Sequence, residues 1–221
     1  MPNPVLVYFA ARGRAEFIRL ILAEAGVDYT EHPIGQGTAP VNGRPTDFTA
    51  LKATGQLPFN QVPVWEEPGG FRLAQSVAIA NHLARVHGLW GQTEPEHAQV
   101  EQAIGGFDDA RAELRKLVTA PPDQRSTVRH ELLTTVIPRW AGFFHTLLKA
   151  NDGGMGHLVG KSMTSADLAL WYWLELCRDN HFGAALEAFP ALTAFFERIG
   201  SRPRIAAYLK SPKRHPFQPL P

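Results

Sequence analysis

The chain has 221 residues, of which 44% are hydrophobic and 19% are charged, which is enough for one large domain or two modest ones. Its formal net charge of +1 gives no electrostatic footprint for nucleic acid or an anionic membrane surface. No apolar run reaches the roughly 18 residues that span a bilayer. No charged segment followed by an apolar one opens the chain as a signal peptide would. We therefore expect neither a nucleic-acid nor a membrane partner.

Cysteine and histidine usage argues against a disulfide framework and a metal site. The single cysteine, Cys177, has no partner for an internal disulfide, which suits a reducing, cytoplasmic compartment. It lies in an apolar helical stretch, where a free cysteine behaves as a small hydrophobe. The nine histidines are scattered, and no two have the HxxxH spacing of a metal-binding helix, so no metal is expected.

The first 85 residues mix strands and helices. A short apolar strand over residues 5–9 carries Tyr8 near its end, where a phenol can be directed at a ligand; simple packing is the alternative. An amphipathic helix follows and stops at Gly26, and a second strand is predicted over residues 27–31. Residues 33–55 are rich in glycine and proline and are predicted to form a long surface excursion.

Residues 62–65 and 71–74 predict a β-hairpin. Pro63 cannot donate a ladder hydrogen bond, so it belongs at an edge, a bulge or a cis turn. A cis bond would turn the backbone N–H and C=O of Val62 outward, ready to pair with an extended peptide. A trans proline that only begins the strand is the alternative. The β-α-β-β-α order of this region favours the cis form.

A second polar site is predicted where the last strand gives way to a helix. The Ser76 hydroxyl and the first free N–H groups of that helix form a site for a carboxylate, strengthened by the helix dipole. Gln75 adds a neutral amide next to it. A serine that merely caps its own helix is the alternative interpretation.

The second half of the chain is predicted to be almost entirely helical. Thr164 and Asp167 have the spacing of a capping box and precede a stretch that is apolar nearly all round, which predicts the central helix of a bundle. Four prolines mark other features of these helices. They predict an end at Pro121, a kink at Pro138 and starts at Pro190 and Pro203.

These features predict an α/β thioredoxin-like N-terminal domain over residues 1–85 and a linker over residues 86–94. An all-α helical-bundle domain is then predicted over residues 95–221. Several segments in one order carry a resemblance to a known family: Tyr8, Arg12-Gly13-Arg14-Ala15-Glu16, Leu57-Pro58-Phe59-Asn60-Gln61-Val62-Pro63-Val64, Gln75-Ser76-Val77-Ala78-Ile79-Ala80, Thr164-Ser165-Ala166-Asp167, Phe189-Pro190-Ala191-Leu192 and Arg204-Ile205. Over nearly its whole length the chain resembles a cytosolic glutathione transferase, nearest the tyrosine-type, sigma-like classes (alpha, mu, pi and sigma).

The resemblance implies a residue set around the glutathione thiol. Tyr8 resembles the phenol that hydrogen-bonds the glutathione sulfur, and Arg14 resembles the first-helix arginine close to it that favours the thiolate. Val62 resembles the residue whose backbone pairs with the cysteinyl part of glutathione across cis-Pro63.

The resemblance also implies contacts to the two ends of glutathione. Gln75 and Ser76 resemble the pair that holds the γ-glutamyl end, and Gln61 resembles the side chain flanking the glycyl end. Lys52 resembles the lysine facing the glycine carboxylate. Phe48 stands where relatives usually have tryptophan, so it offers no indole N–H.

For the second substrate, the resemblance implies an electrophile site between the domains, where the small residues beside Tyr8 leave room for a bulky, flat molecule. The expected lining is Phe9, Ala10, Ala11, Phe107, Arg111 and Phe217. Phe107 as simple core packing is the alternative. Glu101 falls at the spacing of the acidic residue that relatives project across a homodimer interface, and a solvent-facing helical glutamate is the alternative for it.

The implied function is a detoxifying glutathione transferase that binds the thiol as thiolate and adds it to hydrophobic electrophiles. Glutathione is then a co-substrate, and the partners are a hydrophobic small molecule and a second copy of the chain. Two other functions remain open: a glutathione-dependent isomerase, and a non-catalytic carrier of apolar ligands built on the same fold. A serine-type transferase is disfavoured because residues 8–16 contain neither serine nor threonine.

Overall fold

The computed structural model describes residues 2–35, 39–41 and 43–221. Its contacts divide the chain into two compact units. The thioredoxin-like unit consists of Met1–His87 and Ala207–Gln218, and the helical unit consists of Gly88–Ala206 and Pro219–Pro221. We call Ala207–Gln218 the C-terminal tail.

A four-stranded sheet with the strand order β2-β1-β3-β4 organises the thioredoxin-like unit. Its elements are β1 (Val5–Phe9), α1 (Glu16–Ala25), β2 (Thr30–Ile34), α2 (Phe48–Ala53), β3 (Val64–Glu66), β4 (Arg72–Ala74) and α3 (Ser76–Val86). Strand β1 pairs in parallel with β2 and antiparallel with β3, which pairs antiparallel with β4. The predicted thioredoxin-like fold is confirmed.

The start of the chain folds as its pattern predicts. Leu6 and Val7 are fully buried at the centre of β1, where successive side chains enter the two faces of the sheet. Helix α1 ends at Gly26, which takes the left-handed conformation (φ +71°) and donates its N–H to the carbonyls of Leu22 and Ala23.

Two sequence-based boundaries in this unit were wrong. Strand β2 begins at Thr30, three residues after the predicted start, because the Val27 N–H still bonds the Leu22 carbonyl and completes the C-terminus of α1. The predicted surface excursion contains α2, whose N-cap Asp47 accepts the Ala50 N–H at 2.7 Å. Residues 36–38 and 42 of that excursion lie outside the described residues.

Six helices follow in the described residues, which confirms that the second half is almost entirely helical. They are α4 (Glu94–Thr119), α5 (Arg125–Glu131), α6 (Ile137–Ala150), α7 (Ser165–Asp179), α8 (Pro190–Gly200) and α9 (Pro203–Leu209). Residues 168–174 of α7 are all buried, which confirms it as a central helix. In the described residues, no helix is both long and apolar enough to cross a membrane.

The predicted irregularity at Pro138 is a π-helical turn. Leu132–Val136 form this turn between α5 and α6, and the Ile137 N–H bonds the Leu132 carbonyl five residues back. Proline lacks an N–H for the carbonyl four residues earlier, so the backbone there departs from the α-helical ladder.

The C-terminal tail lies with the thioredoxin-like unit, whereas the sequence assigned all of residues 95–221 to the helical domain. Polar side chains explain the difference. Tyr208 and Arg214 of the tail both donate to the buried carboxylate of Glu16 in α1. A buried carboxylate needs such donors, so these bonds fix the tail to this unit.

Candidate functional site

Tyr8 lies at the end of β1 with only 8% of its surface exposed. Its hydroxyl oxygen accepts the backbone N–H of Arg14 at 2.9 Å. Gly13 packs on the phenol so closely that a Cβ placed there would lie 2.6 Å from the hydroxyl oxygen. The phenol is therefore held by the turn over residues 10–15, hereafter the 10–15 turn, and its own O–H remains a donor.

Arg19, a fully buried residue of α1, supports the 10–15 turn. Its guanidinium donates to the carbonyls of Ala11 at 2.9 Å and Arg12 at 3.3 Å. It also makes a bidentate pair with Glu31, at 2.6 and 3.0 Å. Burial alone would lower the pKa of Arg19, but its hydrogen bond to Glu31 and the charges around it raise the pKa.

Sequence reasoning missed Arg19 and Glu31, because an arginine inside an amphipathic helix reads as a solvent-facing residue. One signal was available. Glu16 and Arg19 are spaced as a helical i,i+3 ion pair, and both fall among apolar residues that the structure buries. A charged pair within an apolar stripe indicates a buried network.

Helix α2 brings two of the predicted residues to the strand that carries Tyr8. The Phe48 ring meets the Phe9 ring edge-to-face, with the centroids 5.2 Å apart. The Lys52 ammonium lies 4.8 Å from the centroid of the Phe48 ring. Phe48 and Phe9 both pack against the core cluster beneath the sheet, together with Val62.

The Val62–Pro63 bond is cis, which confirms the sequence prediction. Val62 is half-buried and lies two residues before the start of β3. The exposed Gln75 directs its Nε2 at Oε1 of the exposed Gln61, at 3.4 Å. The structure therefore brings together the two glutamines that the sequence singled out separately.

Gln75 adopts φ +73° and ψ +116°, a conformation that costs a non-glycine residue free energy and is typical of functional sites. Ser76 is 7% exposed and occupies the first position of α3. The N-cap position belongs to Gln75, whose side chain makes no capping bond. The alternative in which Ser76 simply caps its own helix therefore does not describe this terminus.

The residues predicted for the electrophile site have different environments. Ala10 and Ala11 are half-buried in the 10–15 turn, and Phe217 of the tail lies against the Arg12 guanidinium, 5.5 Å from ring centroid to carbon. In the helical unit, Phe107 is 2% exposed beside Tyr172, as the core-packing alternative expects.

Two further predicted residues lie on α4. Arg111 pairs with Asp108 one helical turn away, at 2.5 Å. Glu101 is exposed, as the solvent-facing alternative for it expects.

Cys177 does not belong to this site. Its side chain is buried in α7, and burial raises the pKa of its thiol. A thiol held in its neutral form is a poor nucleophile, so the interpretation of Cys177 as an inert core residue stands. Among the described residues, no three His, Cys, Asp or Glu side chains are grouped as metal ligands would be.

Comparison with protein families matches both halves of the chain. Residues 4–85 match the family described as "Glutathione S-transferase, N-terminal domain". Residues 108–212 match the family described as "Glutathione S-transferase, C-terminal domain".

Similar proteins come from several classes. The chain is 36% identical to glutathione S-transferase alpha-2 of Rattus norvegicus, over 94% of this chain and 88% of that protein. It is 32% identical to glutathione S-transferase P 1 of Xenopus laevis, over 97% of this chain and 95% of that protein. Among solved structures, the Pi-class glutathione S-transferase of Onchocerca volvulus superposes with a TM-score of 0.82 at 27% identity, covering 94% of this chain and 92% of that one.

Proposed function

Since the chain belongs to the glutathione S-transferase family, we propose that it conjugates glutathione to hydrophobic electrophiles and that Tyr8 stabilises the reacting thiolate. The observation that carries this proposal is the hydrogen bond from the Arg14 N–H to the Tyr8 hydroxyl oxygen. Because that oxygen already accepts a bond, the phenol proton is directed elsewhere. A bound sulfur is the natural acceptor, and hydrogen bonds in series strengthen one another.

The reaction depends on the acidity of the glutathione thiol. A free cysteine thiol has a pKa of about 8.5 and is only a few per cent thiolate at pH 7. A phenol that donates to sulfur favours the charged form, and each unit of pKa lowering corresponds to about 1.4 kcal/mol. The thiolate then attacks an electrophilic carbon held beside it. Tyr8 must remain protonated, since a phenolate would repel the thiolate.

Glutathione is held by residues of α2, of the segment before β3 and of the junction between β4 and α3. The backbone of Val62 pairs with the cysteinyl part, and Gln75 with Ser76 at the start of α3 binds the γ-glutamyl carboxylate, where N–H groups and the helix dipole favour an anion. Gln61 flanks the glycyl end, and Lys52 faces the glycine carboxylate. The contact between Gln61 and Gln75 supports one continuous polar surface.

Three further assignments complete the site. Arg14 assists Tyr8 in favouring the thiolate, and Phe48 packs beside the tripeptide without a hydrogen bond to it. Glu101 of one subunit approaches the γ-glutamyl amine bound to its partner, an assignment compatible with its exposure on α4. The electrophile is held by apolar and small residues and one arginine: Phe9, Ala10, Ala11, Phe107, Arg111 and Phe217. We also assign the protein to the cytoplasm, as its single buried cysteine suggests.

A conjugation assay with a chloronitrobenzene tests the function directly. An enzyme converts the substrate at a rate that saturates with glutathione, whereas a carrier of apolar ligands binds it without turnover. An isomerase shares the thiolate and regenerates glutathione, so glutathione consumption separates it from a conjugating enzyme. Binding of the electrophile with no glutathione consumption would overturn the proposal.

Gly13→Ala is expected to lower turnover strongly in a protein that still folds. Its added Cβ would lie 2.6 Å from the Tyr8 hydroxyl oxygen, so the phenol or the turn must move. Gly35→Ala is the matched control, because Gly35 also has a positive φ (+81°) but no atom within 4 Å of an added Cβ. Equal turnover in the two variants would show that the position of Tyr8 does not matter.

A homodimer is the expected assembly. The region from Phe59 to Arg85 of one subunit packs on the helix near residues 95–115 of the other, with Phe59 as the apolar plug. Phe59 is 76% exposed, a feature that supports this role. Light scattering should give twice the 24.4 kDa chain mass at micromolar concentration.

Phe59→Ser should shift the mass toward the monomer. Phe143→Ser, which alters a 53% exposed phenylalanine of α6, should leave it unchanged. A monomer mass for the unmodified protein would rule the dimer out.

A further inference from the structure

The C-terminal tail occupies both oxygens of a buried carboxylate in α1. Glu16 is fully buried. Arg214 Nε donates to its Oε1 at 2.8 Å, and the Tyr208 hydroxyl donates to its Oε2 at 3.0 Å. Burial and then the charge of Glu16 raise the pKa of Tyr208, so the phenol stays a donor. Without these two donors, Glu16 would have far less compensation for its desolvation.

The tail reaches a second carboxylate through His215. Its Nε2 lies 3.0 Å from Oε2 of Glu31, the residue that forms the bidentate pair with Arg19. Burial opposes ionisation of Glu31, but the hydrogen bonds and charges of Arg19 and His215 outweigh it and lower the pKa of Glu31. Arg19 also lies 3.5 Å from the Glu16 carboxylate, so the two carboxylates and the tail form one network.

This network ends at the turn that holds the phenol. Arg19 donates to the carbonyls of Ala11 and Arg12. The tail engages the Arg12 side chain, whose Nε donates to the His215 carbonyl at 3.0 Å and whose guanidinium lies over the Phe217 ring. The 10–15 turn is thus fixed by α1 and by the tail together.

We propose that the C-terminal tail positions the phenol for catalysis, with Arg214 and Tyr208 as positioning residues that act on Tyr8 through Glu16 and the 10–15 turn. This inference rests on the proposed role of Tyr8. The route has few steps, because the turn that the tail fixes also supplies the Arg14 N–H to the phenol oxygen. Misplacement of a catalytic group by about 1 Å lowers rates by up to roughly 100-fold, so small movements of this turn matter.

A double-mutant cycle separates positioning from general structural support. The measured quantity is the pKa of glutathione bound to the enzyme, read from the ultraviolet absorbance of its thiolate. The four proteins are the unmodified chain, Arg214→Leu, Tyr8→Phe and the double variant. Arg214→Leu should raise the pKa of the bound thiol and lower turnover near pH 7 roughly 3- to 10-fold, with a much smaller change in the KM for glutathione. When it is combined with Tyr8→Phe, Arg214→Leu should add almost nothing.

Two controls and one alternative variant make the cycle decisive. Arg214→Lys keeps a cation near Glu16 and should restore most of the titration. Arg178→Leu removes a comparable arginine, which bonds Glu197 at 3.2 Å and lies over Phe196 in the helical unit, and it should leave the titration unchanged. If Arg214→Leu does not fold, Tyr208→Phe runs the same cycle, because it removes one donor to Glu16 and keeps the ring.

Each outcome bears on a different conclusion. A shift that is present with Tyr8 intact and disappears in the Tyr8→Phe protein supports positioning through the phenol. An equal shift in both backgrounds, or no shift in a folded Arg214→Leu protein, overturns the inference while leaving the proposed function intact. No effect of Tyr8→Phe itself overturns the proposed role of Tyr8, and the positioning role of the tail fails with it.

Discussion

Tyr8→Phe is expected to lower turnover roughly 10- to 100-fold near pH 7, because a hydrogen bond to a charged group contributes about 1.5–3 kcal/mol and one pKa unit is about 1.4 kcal/mol. The pKa of the bound thiol should rise by roughly one to two units on the same reasoning. The deficit in turnover should shrink as the pH is raised past that value, because the thiolate then forms without help. Glutathione affinity should change much less, since contacts along the whole tripeptide hold it.

The role of Tyr8 is tested by measuring the pKa of the bound thiol from the ultraviolet absorbance of its thiolate. Tyr172→Phe is a suitable control: it also removes a buried phenol O–H and keeps the ring, but on α7 in the helical unit. It should leave the thiol titration and the pH dependence of turnover unchanged. If the thiol titrates identically in Tyr8→Phe and in the unmodified protein, Tyr8 has no part in forming the thiolate.

Features that depend on local stereochemistry could be predicted from the sequence. Gly26 ends α1 because it is the residue that most readily takes the left-handed conformation. Pro190 and Pro203 begin helices because the first helical position needs no N–H. The cis bond before Pro63 was predicted from its place in the strand order rather than from its neighbours alone.

Features that depend on residues distant in the chain could not be predicted from the sequence. Helix α2 has only six residues, too few for a hydrophobic period, and it packs on a core formed by strands elsewhere in the chain. The C-terminal tail joined the thioredoxin-like unit through Glu16, a residue 198 positions before Arg214. From the sequence alone, Arg19 and Glu31 look like ordinary surface charges, because nothing shows that they pair with each other. The missed residues are thus the ones that support the turn beside Tyr8, whereas Tyr8 itself stands out in the sequence by its place near the end of a short strand.

Asp167→Ala is the second variant with a large expected effect, here on stability. Asp167 is fully buried at the start of α7. Its Oδ2 accepts the Thr164 N–H at 2.8 Å and completes the predicted capping box, which the structure confirms. Its Oδ1 accepts the Leu158 N–H at 2.7 Å, a bond that ties the preceding loop to the helix.

Alanine at this position leaves two buried N–H groups without their acceptor. Each unsatisfied donor costs about 1–3 kcal/mol, so we expect a loss of about 3 kcal/mol or more in the free energy of unfolding. For a chain of this size that loss corresponds to a melting temperature lower by roughly 6–12 °C. The protein that remains folded should bind glutathione with near-normal affinity, because the residues proposed to hold the tripeptide within a subunit lie in the other unit.

Thermal unfolding of Asp167→Ala should be compared with that of two other variants. Thr93 is the exposed N-cap of α4, and its hydroxyl accepts the Glu96 N–H at 3.3 Å. Thr93→Ala should lower the free energy of unfolding by only about 0.5–2 kcal/mol. Asp167→Asn keeps one acceptor oxygen and should fall between the two. The stability of Asp167→Ala should therefore be the lowest of the three, with glutathione affinity retained in all of them. Normal stability with lost binding would instead place Asp167 in the active site and contradict its role as a helix cap.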